Sequence, residues 1–292
     1  DPRTFNMDPA QLELAIQAVK KQDPSIHPIP RNLDRGRTTD DGRRIPKGII
    51  PVDLFGLPAD YDGINGVAEK YGLFVIEDGA QSFGAVYNGK KTGALTDVAA
   101  TSFFPAKPLG CYGDGGAVLT DDDHLADIMR SIRIHGKGKE KYDNVRIGIN
   151  GRLDTLQAAI LLEKLKLFPD EIEARNRVAE RYSAGLKDLV RVPYVPEGST
   201  SVWAQYSVVV ENRTVMQENL KKAEIPTAIY YPKPLHLQGA FLDLGYKPGD
   251  FPVSEEISQK IFSLPMHPYI QDKVVDIIAE VIKSTLSGEN LS

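Results

Sequence analysis

The sequence lacks a second cysteine. Cys111 stands alone among 292 residues, so no disulfide can close within the chain, which fits a reducing cytoplasm. Its thiol reads as a small residue in a tight turn, because a reactive thiolate needs an electropositive setting. Long hydrophobic runs are missing too. No apolar stretch approaches the roughly 20 residues of a membrane span, and no signal-peptide pattern appears. There is no surplus of positive charge. With 35 Lys and Arg against 40 Asp and Glu the net charge is -5, which argues against a nucleic-acid or anionic-membrane partner. The five histidines fall at no metal-ligand spacing, so no metal site is expected. There is no internal repeat.

What is present is an ordinary globular composition, 41% hydrophobic and 26% charged, in a chain long enough for one large domain or two modest ones. Asp8-Pro9 reads as a cap and first helical residue, followed by Leu12, Ala15, Ile16 and Val19 at helical spacing. Residues 22–46 form a polar loop of mixed charge, including Asp34-Arg35-Gly36-Arg37 and Asp40-Asp41-Gly42-Arg43-Arg44. A solvated surface explains these arginines better than a substrate-phosphate site. The run 48–53 reads as a buried strand, 61–72 as a helix and 73–77 as a second strand, making a βαβ unit. Further strands are expected at 98–104 and 116–120, then a helix carrying Leu125, Ile128, Met129 and Ile132. A long helical stretch runs from Arg152 toward Leu189, with a break expected at Pro169. Beyond it, 202–210 alternates like an antiparallel strand, and helices are expected near 214–223, 254–262 and 271–285. The pattern predicts a large α/β domain, 1–165, with a mostly parallel sheet, and a small C-terminal α+β domain, 166–292.

Familiar signatures fail on inspection. Residues 84–90 have phosphate-loop spacing, but Lys91 stands where Ser or Thr is required, so the segment reads as a turn. The glycines of 110–116 do not keep dinucleotide-fingerprint spacing. Ser82 is not in a nucleophile elbow. An acid at one strand end and a lysine beyond another remain. Asp78 closes the strand 73–77, at the sheet edge where α/β folds bind ligands. Lys107 lies between Pro105 and Pro108, before a glycine-rich turn. Taken alone, Asp78 reads as a loop or helix cap and Lys107 as a solvated charge. Together they match the needs of pyridoxal 5'-phosphate (PLP): a lysine for its aldehyde, a carboxylate for its ring nitrogen, and a donor such as Ser102 for its phosphate.

Longer strings go further. Glu77-Asp78-Gly79-Ala80-Gln81-Ser82-Phe83-Gly84-Ala85 and the run from Ser102 to Ala117 come first. His135-Gly136, residues 148–154, Gln157-Ala158-Ala159, residues 231–236 and residues 264–268 follow in order. This sequence resembles the DegT/DnrJ/StrS family of nucleotide-sugar aminotransferases over nearly its whole length. The resemblance implies a PLP-dependent transferase of fold type I, like aspartate aminotransferase, acting as a cytoplasmic homodimer. It implies that Lys107 forms the imine with PLP, that Asp78 partners the pyridinium, and that Gln81 lies beside the ring hydroxyl. It further implies that Ser102 binds the phosphate, that Asn150 reaches the phosphate of the neighbouring subunit's cofactor, and that Tyr231 and His236 contact the sugar. The implied reaction is ping-pong transfer from glutamate to a nucleotide-linked keto sugar.

The turn from Phe103 to Gly116 is most similar to the branch that aminates C3 of a UDP-2-acetamido-3-oxo-hexuronate for bacterial surface polysaccharide (lipopolysaccharide or O-antigen). Lys107 argues against the deoxysugar dehydratase branch, where histidine takes its place. A 4-keto dTDP or UDP hexose is the alternative substrate. Members of the family begin upstream of Asp1, with a Ser-Gly-Thr phosphate loop and a ring that stacks on the cofactor. On that pattern the large domain here is N-terminally incomplete, and a non-catalytic fragment is the alternative from another class.

Overall fold

Short apolar runs and amphipathic helices alternate in the first half, and each helix starts on a side-chain cap. The computed structural model describes residues 1–31, 45–140 and 142–288. Helix α1 (Pro9–Lys21) begins where the Asp8 carboxylate accepts from the amides of Ala10 and Gln11. Strand β1 (Gly48–Ile49), helix α2 (Tyr61–Tyr71) and strand β2 (Phe74–Asp78) form the expected βαβ unit, with β1 and β2 parallel. The strand expected over 48–53 is shorter than its apolar run. Pro51 has no N–H to donate, and past it only an isolated bridge joins Val52 to Asp78. Tyr61, Ile64 and Ala68 of α2 pack with Ile49, Val75 and Leu95 to make the core of this unit.

Strands β3 (Val86–Tyr87) and β4 (Lys90–Lys91) form a hairpin through Asn88 and Gly89, both at positive φ. The segment with phosphate-loop spacing is therefore a turn, as its sequence indicates. Strand β5 (Val98–Ser102) runs parallel to β2, and β6 (Gly116–Leu119) runs antiparallel to β5. The resulting sheet, ordered β1-β2-β5-β6, is mostly parallel. Helix α3 (Asp123–Arg133) follows, capped by Asp122.

Helix α4 (Thr155–Leu186) is a single element of 32 residues. The break expected at Pro169 does not occur. Packing on both sides of the proline holds the helix together. Leu161 and Phe168 bury against Phe103, Leu109 and Cys111, while Val178, Ala179, Tyr182 and Leu186 enter the second core. Residue 165, the expected end of the large domain, lies within this helix.

Strand β7 (Ser199–Thr200) returns to pair with β3, giving the order β4-β3-β7. Strand β8 (Tyr206–Val209), helix α5 (Arg213–Lys222), helix α6 (Pro252–Lys260), strand β9 (Ile261–Leu264) and helix α7 (Asp272–Ser287) complete the chain. Strands β8 and β9 pair antiparallel and are buried along their whole length, so the alternation expected over 202–210 gives way to a core strand. The helix expected over 254–262 stops at Lys260 because Ile261 and Phe262 enter that pair.

Pro169 is exposed on α4 and withholds one amide from the helix ladder. An interior proline costs about 3 kcal/mol, while the unfolded chain regains up to about 1 kcal/mol of entropy when proline is removed. Pro169→Ala should therefore stabilise the chain by about 2 kcal/mol, read as a raised midpoint in urea unfolding.

Candidate active site

The parallel register of β2 and β5 sets Asp78 opposite Ala100, two residues before Ser102. Both strands then turn at the same edge of the sheet. After β2 the chain makes a tight turn, in which Gly79 N donates to Ala100 O at 2.9 Å and Ser82 N donates to Gly79 O at 3.2 Å. Asp78 is half-buried, and its Oδ1 accepts from Ala80 N at 3.1 Å. Its other oxygen has no hydrogen bond among the described residues. Gln81 is buried, with Oε1 accepting from Phe55 N at 2.6 Å and Nε2 donating to the Tyr231 hydroxyl at 3.3 Å. Those two bonds fix which end of the amide faces which neighbour.

After β5 the chain closes a second turn. Phe103 N donates to Gly115 O, Lys107 N to Phe104 O, and Cys111 N to Phe103 O, each at 2.8 Å. Glycine is required at 110, where a Cβ would lie 2.5 Å from Pro105 O. Helix α4 braces this turn: Lys164 Nζ donates to Gly110 O, and Gln157 Oε1 accepts from Tyr112 N at 2.7 Å. The Cys111 thiol is buried and donates to the carbonyls of Phe103 and Gly113, as its reading as a turn residue anticipates. Ser102 Oγ accepts from Phe104 N at 3.2 Å, which leaves its hydroxyl proton for another partner.

Lys107 is half-buried, and its ammonium makes no hydrogen bond or ion pair among the described residues. Burial pushes its pKa below that of an ordinary lysine, and the Asp78 carboxylate pulls it partly back. An unpaired amine thus shares one sheet edge with a half-open carboxylate, a serine hydroxyl and a fixed amide. These residues fit PLP: a nucleophile for its aldehyde, an acid for its ring nitrogen and a donor for its phosphate.

The other expected site residues lie apart from this group. Asn150 is exposed, accepts from Arg152 Nε at 3.2 Å, and makes no hydrogen bond to Lys107, Asp78 or Ser102. Tyr231, 52% exposed, reaches the group through Gln81. The His236 side chain is 8% exposed, lies 3.0 Å from the Glu255 carboxylate and packs on the Phe251 ring. The arginines at 35, 37, 43 and 44 lie outside the described residues.

Beneath the turn lie two buried acids that the sequence reading passed over. Asp53 Oδ1 accepts from Ala59 N at 2.9 Å and from the Tyr61 hydroxyl at 2.8 Å, while Oδ2 accepts from Ser82 Oγ at 2.6 Å. Glu77 accepts from Gly93 N at 2.6 Å. The available signal was an acid closing each of two neighbouring apolar runs, the same signal that marks Asp78.

The model of the DegT/DnrJ/EryC1/StrS aminotransferase family matches residues 1–283. The chain is 46% identical over 283 residues to the UDP-2-acetamido-2-deoxy-3-oxo-D-glucuronate aminotransferase of Pseudomonas aeruginosa, spanning 97% of this chain and 70% of that protein. Among solved structures it resembles a DegT DnrJ EryC1 StrS aminotransferase from Brucella abortus, at 52% identity and a TM-score of 0.88, over 98% of this chain and 72% of that one. It also resembles S. venezuelae DesV in complex with a ketimine intermediate, at 30% identity and a TM-score of 0.85, over 100% and 71% of the two chains.

Burial pushes the Glu77 carboxyl up to about 7 and that of Asp53 up to about 6. Both hold protons more tightly folded than unfolded. The stability they give is therefore complete below the unfolded carboxylate range and is lost as pH rises through those folded values. Glu77→Gln removes the larger share of this loss. Measured by urea unfolding from pH 5 to 8, the variant should gain on the parent as pH rises, by up to about 3 kcal/mol. A pH-independent difference would contradict the assignment.

Proposed function

Because the chain belongs to the DegT/DnrJ/EryC1/StrS aminotransferase family, we propose that it moves the amino group of glutamate onto C3 of UDP-2-acetamido-3-oxo-hexuronate. The product serves bacterial surface polysaccharide synthesis, and the cytoplasm is the proposed compartment. PLP dependence and aminotransferase chemistry come with the family. The observation that carries the reading is the unpaired, half-buried Lys107 coupled to Asp78 at the ends of β5 and β2. The choice of sugar is supported by the name of the P. aeruginosa relative.

When bound, PLP supplies an aldehyde that takes up the amino group and a ring that accepts the electron pair left at the donor Cα. The rest falls to side chains. Lys107 would be the residue that holds the cofactor covalently. Its amine would serve as the base that takes up the proton at the donor Cα. Burial suits Lys107 to this work, because it lowers the cost of the neutral amine. Asp78 would keep the ring nitrogen protonated, Gln81 would border the ring hydroxyl, and Ser102 would donate to the phosphate. Tyr231 meets the sugar, with His236 on the same segment held by Glu255. The keto sugar would be the acceptor of the amino group.

Asn150 is assigned to the phosphate of a second copy's cofactor in a homodimer. Large apolar side chains crowd its neighbourhood in sequence. Ile147 is 98% exposed and Leu156 72%, and Ile149 and Leu162 are exposed as well. Such a band favours a partner surface over solvent.

Adding PLP to the chain should give the visible absorbance of a lysine-linked cofactor, and Lys107→Ala should abolish it. A band that persists in the variant and disappears with borohydride would refute the role of Lys107. In a panel of keto-sugar nucleotides, the UDP-3-oxo-hexuronate should show a kcat/KM at least about tenfold above any 4-keto hexose, a difference of roughly 1.4 kcal/mol. The reverse order would move the enzyme to the 4-keto branch.

A further inference from the structure

Residues 53–55 grip the Asp78–Ser82 turn at three points. Asp53 N donates to Asp78 O at 3.1 Å, the Asp53 carboxylate accepts from Ser82 Oγ at 2.6 Å, and Phe55 N donates to Gln81 Oε1 at 2.6 Å. The grip therefore spans both ends of the turn and its one buried amide. It is bolted to α2 as well, because the same carboxylate accepts from Ala59 N and from the Tyr61 hydroxyl.

A charge is an expensive way to make this joint. Asp53 is 0% exposed and has no ion-pair partner among the described residues. The titratable groups that face it are Tyr61 from α2 and Glu77 and Asp78 from β2, so its charged neighbours are acids. A buried carboxylate without a cation is poor value for stability, and a neutral side chain of the same shape could serve Ala59 and Tyr61 equally well. The charge does have a use at Asp78. A negative charge behind a carboxylate raises the proton affinity of that carboxylate and of any base bound to it.

We propose that Asp53 is a positioning residue of the site: it holds Asp78 and Gln81 in register through Ser82 and the backbone, and its charge strengthens the hold of Asp78 on a protonated ring nitrogen. The inference rests on the reading of Asp78 and Gln81 as the groups that border the cofactor ring. Asp53 touches neither substrate nor cofactor in this role and acts through the turn above it.

The test uses the full chain with PLP and reads binding and colour rather than turnover. Asp53→Asn keeps the shape and the acceptor for Ala59 and Tyr61, and removes the charge. The Kd for PLP should rise about tenfold or more, as expected for loss of a charged buried hydrogen bond. The pH at which the visible band half-converts should fall by about half a unit, because a positive charge at the linked nitrogen loses electrostatic support. Ser82→Ala cuts the joint but keeps the charge. It should weaken PLP binding several-fold and leave that midpoint in place, a separation that a purely structural role would not produce. A folded Asp53→Asn protein with a Kd within twofold of the parent, or with an unmoved midpoint, overturns the proposal. Should that variant fail to fold, Ser82→Ala decides: unchanged PLP binding overturns it, and weakened binding at an unmoved midpoint supports it. If the parent gives no band, or Lys107→Ala keeps it, the underlying reading of the site has failed instead, and the proposal falls with it.

Discussion

The candidate site depends on the register of β2 against β5. Parallel pairing sets Asp78 beside Ala100, so the two strands reach the same edge before either chain turns away. Shifting a strand by one residue would exchange its two faces. Asp78 would then point away from the edge at which the Lys107 turn closes, and Glu77, now buried against the amide of Gly93, would take its place. The pattern Glu77-Asp78 is thus two acids with opposite duties. One faces the interior and holds the hairpin segment, and the other faces the open edge.

The same edge joins the two halves of the chain. Gly56 sits at φ 97, and a Cβ there would approach within 2.9 Å of the backbone nitrogens of Trp203 and Ala204. Val202 N donates to Gly56 O at 3.0 Å, so the segment leading into β8 rests directly on the loop that grips Gln81. Gln81 then hands the connection back through Tyr231. Helix α4 supplies a second link, bracing the Lys107 turn near its N-terminal end and anchoring the β8–β9 core near its C-terminal end. One helix of 32 residues thus ties the Lys107 turn to the second core without an intervening linker.

Much of this architecture was legible before any coordinate. The cap at Asp8, the βαβ unit and the turn at 84–90 follow from residue type and spacing alone. Asp78 and Lys107 were visible as an acid at a strand end and a lysine in a proline-framed turn, although only the longer strings of residues separated them from a cap and a surface charge. The misreadings share a cause. Pro169 breaks an isolated helix, yet Leu161 and Phe168 on one side and Val178 and Tyr182 on the other hold α4 continuous. Residues 261–262 continue a helical pattern but find a better partner in β8. In each case local preference, worth a few kcal/mol, yields to tertiary burial. Asp53 escaped notice for a related reason: its value lies in bonds to Ser82 and Tyr61, and no spacing rule anticipates them.

Electrostatics explains why the site is built from surplus acid. Asp53, Glu77 and Asp78 crowd one edge, and each of the two buried members is pushed up by loss of solvent and by a neighbouring acid. In a folded protein optimised for stability alone, apolar residues of similar size would serve better. Lys107 does not relieve the crowding, because it forms no ion pair with Asp78 and loses solvation of its own. A positive charge held between amine and acids would offset this crowding. A protonated aromatic nitrogen would do so by pairing with the open oxygen of Asp78. Shifted carboxyl groups gathered at one sheet edge beside a desolvated amine are what separate a candidate site from a surface.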